Sequence, residues 1–216
     1  MSGSRRCRDH SSFLAVALHA NKSIERLDLG DFQRDPARMQ QLVIALKGHT
    51  KLRELDLSNN DISENTLRAL GELISQEHCR LKALDLSMQR HPLKISLLAP
   101  ALSSATTGLK QLHLSNCWLT EEEAIPFLNA LTQNQHLESL DMSRNRQLSD
   151  GFLLHLAEVL PDLQIKTLNI LKLKPPNGSP AAMRALQEGL SQNTRLQLLR
   201  LLFWREVGQS RWIQVY

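Results

Sequence analysis

Acidic side chains recur at nearly regular intervals between apolar residues. Asp28, Asp56, Asp85 and Asp141 each stand between two apolar residues, and His113 occupies the same place in a fifth stretch. Imidazole and carboxylate groups bind metals and act as general acids and bases, so a histidine between aspartates could bind a metal in principle. The eight histidines show no His-Glu-x-x-His or comparable spacing. We therefore favour a solvated His113.

No other pattern in the sequence indicates catalysis. The chain contains neither a G-x-x-x-x-G-K-[ST] phosphate-binding loop nor a G-x-S-x-G nucleophile elbow. The three acids at 121–123 open a predicted helix, where carboxylates favour the helix dipole. Serines that follow the acidic stretches are interpreted as turn residues rather than nucleophiles. We expect no catalytic residue, metal, cofactor or small-molecule substrate.

The aspartates belong to a frame of apolar residues, L-x-x-L-x-L, that recurs along the chain. Its clearest copy lies in 52–62, where Asp56 alternates with Leu55 and Leu57 as a short strand requires. The frames begin at positions 24, 52, 81, 109, 137, 165 and 196, with spacings of 28, 29, 28, 28, 28 and 31 residues. Self-similarity at this period indicates a repeat architecture.

Each repeat also predicts a helix after its strand. Asp35 and Ser179 each precede a proline, which pairs an N-cap side chain with a proline at the first helical position. Thr120 and Glu123 have the spacing of a capping box. Apolar residues then recur at helical spacing, as in 42–46, 67–74 and 124–131.

A unit of one strand, one turn and one helix cannot bury its own apolar face. Burying a Leu or Ile side chain is worth roughly 1.5–3 kcal/mol, which only a stacked neighbour can supply. The strands should therefore form one parallel sheet and the helices a second layer. Because helices are wider than strands, the predicted fold is an α/β solenoid of about 28 residues per repeat, an arc with the sheet on its concave face and the helices on its convex face.

These frames resemble leucine-rich repeat proteins of the ribonuclease-inhibitor-like class. The resemblance covers about residues 13–201 and includes Asn60, Cys117 and Asn145 in the family's Asn/Cys position. It implies the fold but not the partner, because the class includes inhibitors, innate-immune receptor domains, activators of the small GTPase Ran, actin-regulatory proteins and bacterial effectors.

Three repeats depart from the family's Asn/Cys position, which holds Phe32, Gln89 and Leu173. In the family, that side chain satisfies buried backbone groups of the turn. We therefore expect irregular turns after residues 29, 86 and 170. Pro92 and the prolines in 174–178 support this expectation for the last two turns.

The chain of 216 residues fits one domain. We expect a disordered basic N-terminus at 1–12, the repeat domain at 13–201, and a non-repeat tail at 202–216 that is either a cap or unrelated sequence. The repeat domain opens with a half-repeat, followed by about six strand–helix repeats. This opening suggests a fragment or shortened isoform of a longer repeat protein, since terminal repeats normally need a polar cap.

The composition of the chain indicates where the protein is located and what kind of partner it binds. No run of 18 apolar residues predicts a transmembrane segment, and Cys7, Cys79 and Cys117 form no disulfide framework, so we expect a reducing, cytoplasmic location. The net charge is +4 and the sequence pI is about 9.1, but the basic residues concentrate at the ends and the middle is acidic. An acidic middle favours a protein partner with a basic surface.

The sequence predicts a non-catalytic protein-interaction module that binds through its concave face and turn edge. Neighbouring parallel strands lie about 4.8 Å apart, so the aspartates should form a ladder of like charges, with Trp118 as a hot spot on the turn edge. In the alternative interpretation, the aspartates recur only because aspartate is common at this position of the repeat, and the ladder has no binding role. The candidate partner-binding residues are Asp28, Glu54, Asp56, Asp85, His113, Asp141 and Trp118.

Two other functions stay open from the sequence. One is a regulator of a partner enzyme, such as a small-GTPase activator of the Ran-activator type. The other, which we rank last, is nucleic-acid or membrane-surface binding through the basic ends. Its candidate patch is Lys166, Lys172, Lys174, Arg195, Arg200, Arg205 and Arg211.

Overall fold

Helices and short strands alternate along the chain. A computed structural model describes residues 10–32, 34–104, 107–171, 173, 179–203 and 211–215. The helices are α1 (His10–Ala20), α2 (Pro36–Ala45), α3 (Glu64–Ile74), α4 (Ala99–Leu102), α5 (Glu121–Leu131), α6 (Asp150–Val159) and α7 (Pro180–Gln192). The strands are β1 (Arg26–Asp28), β2 (Glu54–Asp56), β3 (Ala83–Asp85), β4 (Gln111–His113), β5 (Ser139–Asp141), β6 (Thr167–Leu171), β7 (Leu198–Phe203) and β8 (Arg211–Val215).

The strands form a single sheet in chain order. Strands β1 to β7 are parallel, and β8 pairs antiparallel with β7. The central leucines of the frames lie side by side, as Leu55 does with Leu84, and Leu84 with Leu112. The equivalent position therefore recurs in every strand. This arrangement confirms the predicted α/β leucine-rich repeat solenoid, with the parallel sheet on one face and the helices on the other.

The core lies between the sheet and the helices. Leu84, Leu112 and Leu140 of the frames are fully buried, and so are Leu42, Val43, Leu67 and Leu70 of the helices, which lie at predicted core positions. Because strand side chains alternate, the residues on either side of each central leucine face away from the helices. The repeat frame thus fixes which side chains line the concave face.

All three predicted helix starts are confirmed as N-caps, but the capping box predicted for Thr120 and Glu123 does not form. The Asp35 carboxylate accepts hydrogen bonds from backbone N–H groups of α2, and the Ser179 hydroxyl accepts one from Ala182 N–H at 3.2 Å. Thr120, however, makes no capping hydrogen bond to the start of α5. Glu123 instead accepts hydrogen bonds from the backbone N–H (3.2 Å) and hydroxyl (2.6 Å) of Ser96. The preceding repeat offers better donors than the helix's own first turn.

The turns after the strands share one backbone conformation. Their residues Asp31, Asn59, Met88, Asn116 and Arg144 have φ between 52° and 61°. Their N–H groups donate to the next repeat, as Asn116 N–H does to the carbonyl of Ser143 at 2.9 Å. The stacking of repeats therefore continues in register beyond the strands.

The prediction of an irregular turn after residue 86 is wrong. Gln89 Nε2 donates to the carbonyl oxygens of Leu57, Leu86 and Ser87 at 3.1, 2.9 and 3.2 Å, much as Asn145 does in its own turn. The amide therefore serves the family's Asn role despite its longer side chain. The irregularity comes later, where a 3-10 turn at Ile95–Leu98 and the short α4 replace a full helix.

The other two predicted irregular turns have different outcomes. Asp31, in the turn after residue 29, has the φ of its equivalents (52°), so the irregularity is not found at that residue. Leu173 is buried, but residues 172 and 174–178 lie outside the described ranges. The irregularity of the turn after residue 170 stays a prediction.

The predicted domain limits differ from the elements at both ends. Helix α1 begins at His10, before the predicted start at residue 13, and β7 continues to Phe203, past the predicted end at residue 201. The pairing of β8 with β7 places 211–215 at the end of the sheet. Within the described ranges, none of the helices combines the length and apolar content that crossing a bilayer requires.

Candidate functional site

The predicted charge ladder forms a continuous row across five strands. We call it the aspartate row: Asp28, Asp56, Asp85, His113 and Asp141. Each member is the register partner of the next in the adjacent strand. On β1 to β4 the row lines an open depression of about 460 Å³ on the strand face of the solenoid. With Glu54, which lines the same depression, the structure thus brings six of the seven predicted partner-binding residues together.

The aspartates of this row also stabilise the turns that follow them. Asp56 Oδ1 accepts a hydrogen bond from Ser58 N–H at 2.8 Å, and Asp85 and Asp141 accept equivalent bonds at 2.8 Å. Such Asx-type bonds favour the tight turn after the strand. This role explains why aspartate recurs in the frame and favours the consensus interpretation. It does not exclude binding, because Asp56 and Asp85 each have a second oxygen, although the second oxygen of Asp141 accepts a hydrogen bond from Asn169 Nδ2 at 3.0 Å.

Glu54 lies beside the aspartate row, but its charge is partly offset. Arg26 Nε lies 3.3 Å from Glu54 Oε1, and both side chains are well exposed. Exposed ion pairs contribute little to stability because solvent screens them. Glu54 therefore adds less negative charge to the concave face than the sequence suggested.

A cationic row that sequence reasoning missed runs along the starts of the strands. It consists of Arg53, Lys82, Lys110 and Lys166, each directly after the first apolar residue of a frame. Lys110 and Lys166 both bind Glu138, the latter at 2.9 Å, and their hydrogen bonds lower the pKa of Glu138 to about 2. Reading this frame position across repeats would have revealed it. Glu25 and Glu138 hold the same frame position in two other repeats and pair with Arg53, Lys110 and Lys166, so the acidic row has a border of mixed charge.

Trp118 lies on the turn edge, apart from the aspartate row. Its side chain is 47% exposed, and its backbone has a φ of 55°. The indole Nε1–H donates to the carbonyl of Gln89 at 3.0 Å. Met88 and Phe32 are also exposed on the turns, at 49% and 42%. The indole is therefore held at the surface of the turn edge, where other turns also expose apolar side chains.

The two thiols in the described part of the chain, Cys79 and Cys117, lack the properties of nucleophiles. Cys117 is fully buried, its Sγ donates to the carbonyl of Leu86 at 3.0 Å, and burial raises its pKa to about 12. Its N–H donates to Asn145 Oδ1 at 2.8 Å. Burial also raises the pKa of Cys79. In the part of the chain that the structure describes, no group of three or more His, Cys, Asp or Glu side chains converges as a metal site.

The predicted basic patch is not gathered at one place in the described residues. Lys166 binds Glu138 and thereby loses much of its availability to an anion. Arg195 and Arg200 are exposed on different parts of the last repeat, before and within β7. Lys172, Lys174 and Arg205 lie outside the described ranges.

Comparison with known proteins identifies the repeats. The family profile "Leucine Rich repeat" matches residues 48–71 and 133–151. The chain is 28% identical over 184 residues to "NACHT, LRR and PYD domains-containing protein 5" of Homo sapiens, covering 71% of this chain and 15% of that protein. It is 26% identical over 180 residues to "Ribonuclease inhibitor" of Mus musculus, covering 69% of this chain and 39% of the inhibitor.

The chain spans less than half the length of these curated relatives. A solved tropomodulin C-terminal domain of Caenorhabditis elegans is 16% identical, covers 85% of this chain and 92% of its own, and superposes with a TM-score of 0.45. The repeat frames, the in-register sheet and the family match agree. The chain contains leucine-rich repeats and is similar to proteins of the ribonuclease-inhibitor-like class.

Proposed function

We propose that this solenoid is a non-catalytic module that binds a protein partner with a basic surface through the aspartate row. The observation that carries the proposal is the alignment of carboxylates in adjacent strands along an open depression. Strand spacing places the backbone positions of neighbouring carboxylates about 4.8 Å apart. A row of this kind attracts cations and speeds their encounter with the surface.

The carboxylates are held in place before a partner arrives. In Asp56, Asp85 and Asp141, one oxygen is bound to the following turn, which restricts the side chain's rotation. Binding then costs little ordering entropy. We place this activity in the reducing cytoplasm, since Cys79 and Cys117 are free thiols.

Trp118 is proposed as a second contact on the turn edge. Half-exposed tryptophans are frequent binding hot spots because they combine a large apolar surface with a rigid side chain. Its separation from the aspartate row means that a partner contacting both must reach across the ends of the strands. This geometry fits a folded protein better than a small molecule.

The proposal is tested by affinity capture from a native lysate at two salt concentrations, with mass spectrometry of the retained proteins. The test variant is Asp56→Asn/Asp85→Asn/Asp141→Asn. Asparagine removes the charge but keeps the bond to the turn, as Asn169 Oδ1 does to Leu171 N–H at 3.4 Å. Alanine would disturb the turns as well.

The matched control removes the same number of acids from exposed helical positions, as Glu72→Gln/Glu122→Gln/Glu188→Gln. We expect proteins retained by the wild type and the control to be absent from the test variant. If all three chains retain the same proteins, the aspartate row is repeat consensus and the proposal is wrong. If only nucleic acid or lipid is retained and high salt releases it, the basic residues carry the function instead.

A further inference from the structure

A second surface of opposite charge lies on the turn edge beyond β3, β4 and β5. We call it the turn-edge patch: Met88, Arg90, Trp118, Arg144 and Arg146. Met88 and Arg144 are equivalent positions of their repeats, and the N–H···O ladder through Ser115, Ser143 and Leu171 keeps these turns in register (2.7–2.9 Å). Arg90, Trp118 and Arg146 each lie two residues further along the chain. The fold therefore stacks an indole between two arginine positions that are far apart in sequence.

The apolar part of this patch is fixed at the surface. Met88 and Trp118 are about half exposed, and both have left-handed backbones, with φ of 58° and 55°. A bulky residue in this region is strained, and such strain clusters at functional sites. Trp118 is the second left-handed residue of its turn, after Asn116. The hydrogen bond from the indole to Gln89 holds the ring over the preceding turn.

The cationic part of the patch is only partly compensated. Arg90 Nη2 lies 3.8 Å from Asp31 Oδ1. Arg144 and Arg146 are exposed and take part in none of the ion pairs among the described residues. The patch thus presents two uncompensated guanidinium groups beside a rigid indole and a flexible thioether.

We infer that the turn-edge patch binds a short acidic protein segment that carries an apolar residue between carboxylates. Guanidinium groups bind carboxylates in a two-point geometry, and methionine adapts to differently shaped apolar side chains. This inference rests on the proposed protein-binding function, but it assigns a ligand of opposite charge to the turn edge, where Trp118 contacts an acidic segment of the partner and not its basic surface.

A peptide fits this patch better than a nucleic acid. The aspartate row lies in the same repeats, with Asp85 just before the turn of Met88 and Asp141 just before that of Arg144. A continuous phosphate backbone, whose affinity depends on many neutralised phosphates, would lie close to this negative row. A short segment can place its carboxylates on the arginines alone.

The test is fluorescence anisotropy with three labelled probes. The first is a decapeptide with two central apolar residues flanked on both sides by glutamates. The second replaces the glutamates with lysines, and the third is a single-stranded oligonucleotide. We expect the acidic peptide to bind most tightly. Equal binding of the lysine peptide, or tighter binding of the oligonucleotide, would overturn the inference.

Two variants separate the apolar and the cationic contributions. Asparagine tolerates a left-handed backbone, so Trp118→Asn should remove the indole and keep the fold. We expect its affinity for the acidic peptide to fall by about tenfold or more. Arg144→Asn/Arg146→Gln should lower the affinity for the acidic peptide by about tenfold and make that affinity less dependent on salt. The control Arg68→Gln/Arg184→Gln removes two exposed helical arginines and should bind the acidic peptide with the affinity of the wild type. Unchanged affinity in both test variants contradicts the proposed site.

The aspartate-row variant distinguishes this inference from the proposed function. Asp56→Asn/Asp85→Asn/Asp141→Asn should bind the acidic peptide as tightly as the wild type or more tightly, because it removes nearby negative charge. If that variant no longer binds the acidic peptide, the peptide does not bind at the turn-edge patch. If it keeps the acidic peptide but still retains the wild type's lysate partners, the proposed function fails while this inference stands.

Discussion

At the scale of single residues, position in the repeat decides what a side chain does. Asn145 serves both sides of its turn, since Nδ2 donates to the carbonyls of Leu114 and Met142 while Oδ1 accepts from Cys117 and Leu119 N–H groups. Gln89 reproduces only the donor half of this network. Its Oε1 is buried without a hydrogen-bond partner among the described residues.

Gln89→Asn should therefore stabilise the protein. A buried acceptor without a partner costs about 1–3 kcal/mol, so we expect the free energy of unfolding to rise by about 1 kcal/mol in urea denaturation. The reverse change, Asn145→Gln, is the matched control and should lower it by a similar amount. A destabilising Gln89→Asn would show that the longer side chain is required at this turn.

The reactivity of the cysteines follows from their burial. Thiolate is the reactive form, and the pKa of Cys117 is about 12, so at pH 8 its thiol is almost entirely protonated as well as inaccessible. Peptide mapping after native alkylation should find Cys117 unmodified and Cys79, which is only partly buried, modified slowly. Cys117 should react once the chain is unfolded in denaturant. Rapid native modification of Cys117 would contradict its place in the core.

At the scale of elements, the repeats hold together through contacts between neighbours. Glu123 shows this well, because burial raises the pKa of its carboxyl while hydrogen bonds from Ser96 and Lys94 outweigh burial and lower it. Glu121 likewise binds the N–H and hydroxyl of Ser149 in the following repeat. Helix starts in this solenoid are therefore satisfied across repeats as well as within them.

Helices α6 and α7 approach each other at a glycine that leaves no room for a side chain. A Cβ at Gly189 of α7 would lie 2.4 Å from the carbonyl oxygen of Ala157 in α6. Gly189→Ala should separate the two helices and lower the free energy of unfolding by about 1–3 kcal/mol, against the gain of up to about 1 kcal/mol that helix propensity alone predicts.

Gly71→Ala is the matched control for this substitution. A Cβ at Gly71 of α3 would meet Ala101 Cβ at 3.6 Å, an ordinary contact. We expect this variant to be neutral or more stable in the same urea denaturation. If the two alanine variants have the same stability, the packing of α7 on α6 is looser than the structure shows.

At the scale of the whole molecule, the sequence predicted the architecture because the frame is periodic. Seven first positions of the frame were enough to place β1 to β7 and the order of the sheet. The aspartate row followed from the same register. What failed were the partners of individual side chains. Glu123 bonds to Ser96 of the preceding repeat and not to Thr120, and Gln89 reaches Leu57 of the preceding repeat as well as its own turn, because stacking sets these contacts.

The surface pattern was predicted only in part for the same reason. Alternation within a strand reveals the acidic row, but the cationic row and the turn-edge patch appear only when one frame position is compared across repeats. Arg90, Trp118 and Arg146 are 28 residues apart in sequence from one to the next and adjacent positions in the fold. The described part of the molecule thus presents an acidic centre, a border of mixed charge, and a basic, aromatic turn edge.

The most direct test of the central claim is the equilibrium dissociation constant of a captured partner for the wild type and for Asp56→Asn/Asp85→Asn/Asp141→Asn, at low and high salt. We predict that the variant binds about tenfold or more weakly at low salt, and that the difference shrinks as the Debye length falls from about 10 Å at 0.1 M to about 3 Å at 1 M. Equal dissociation constants at both salt concentrations would contradict binding through the aspartate row.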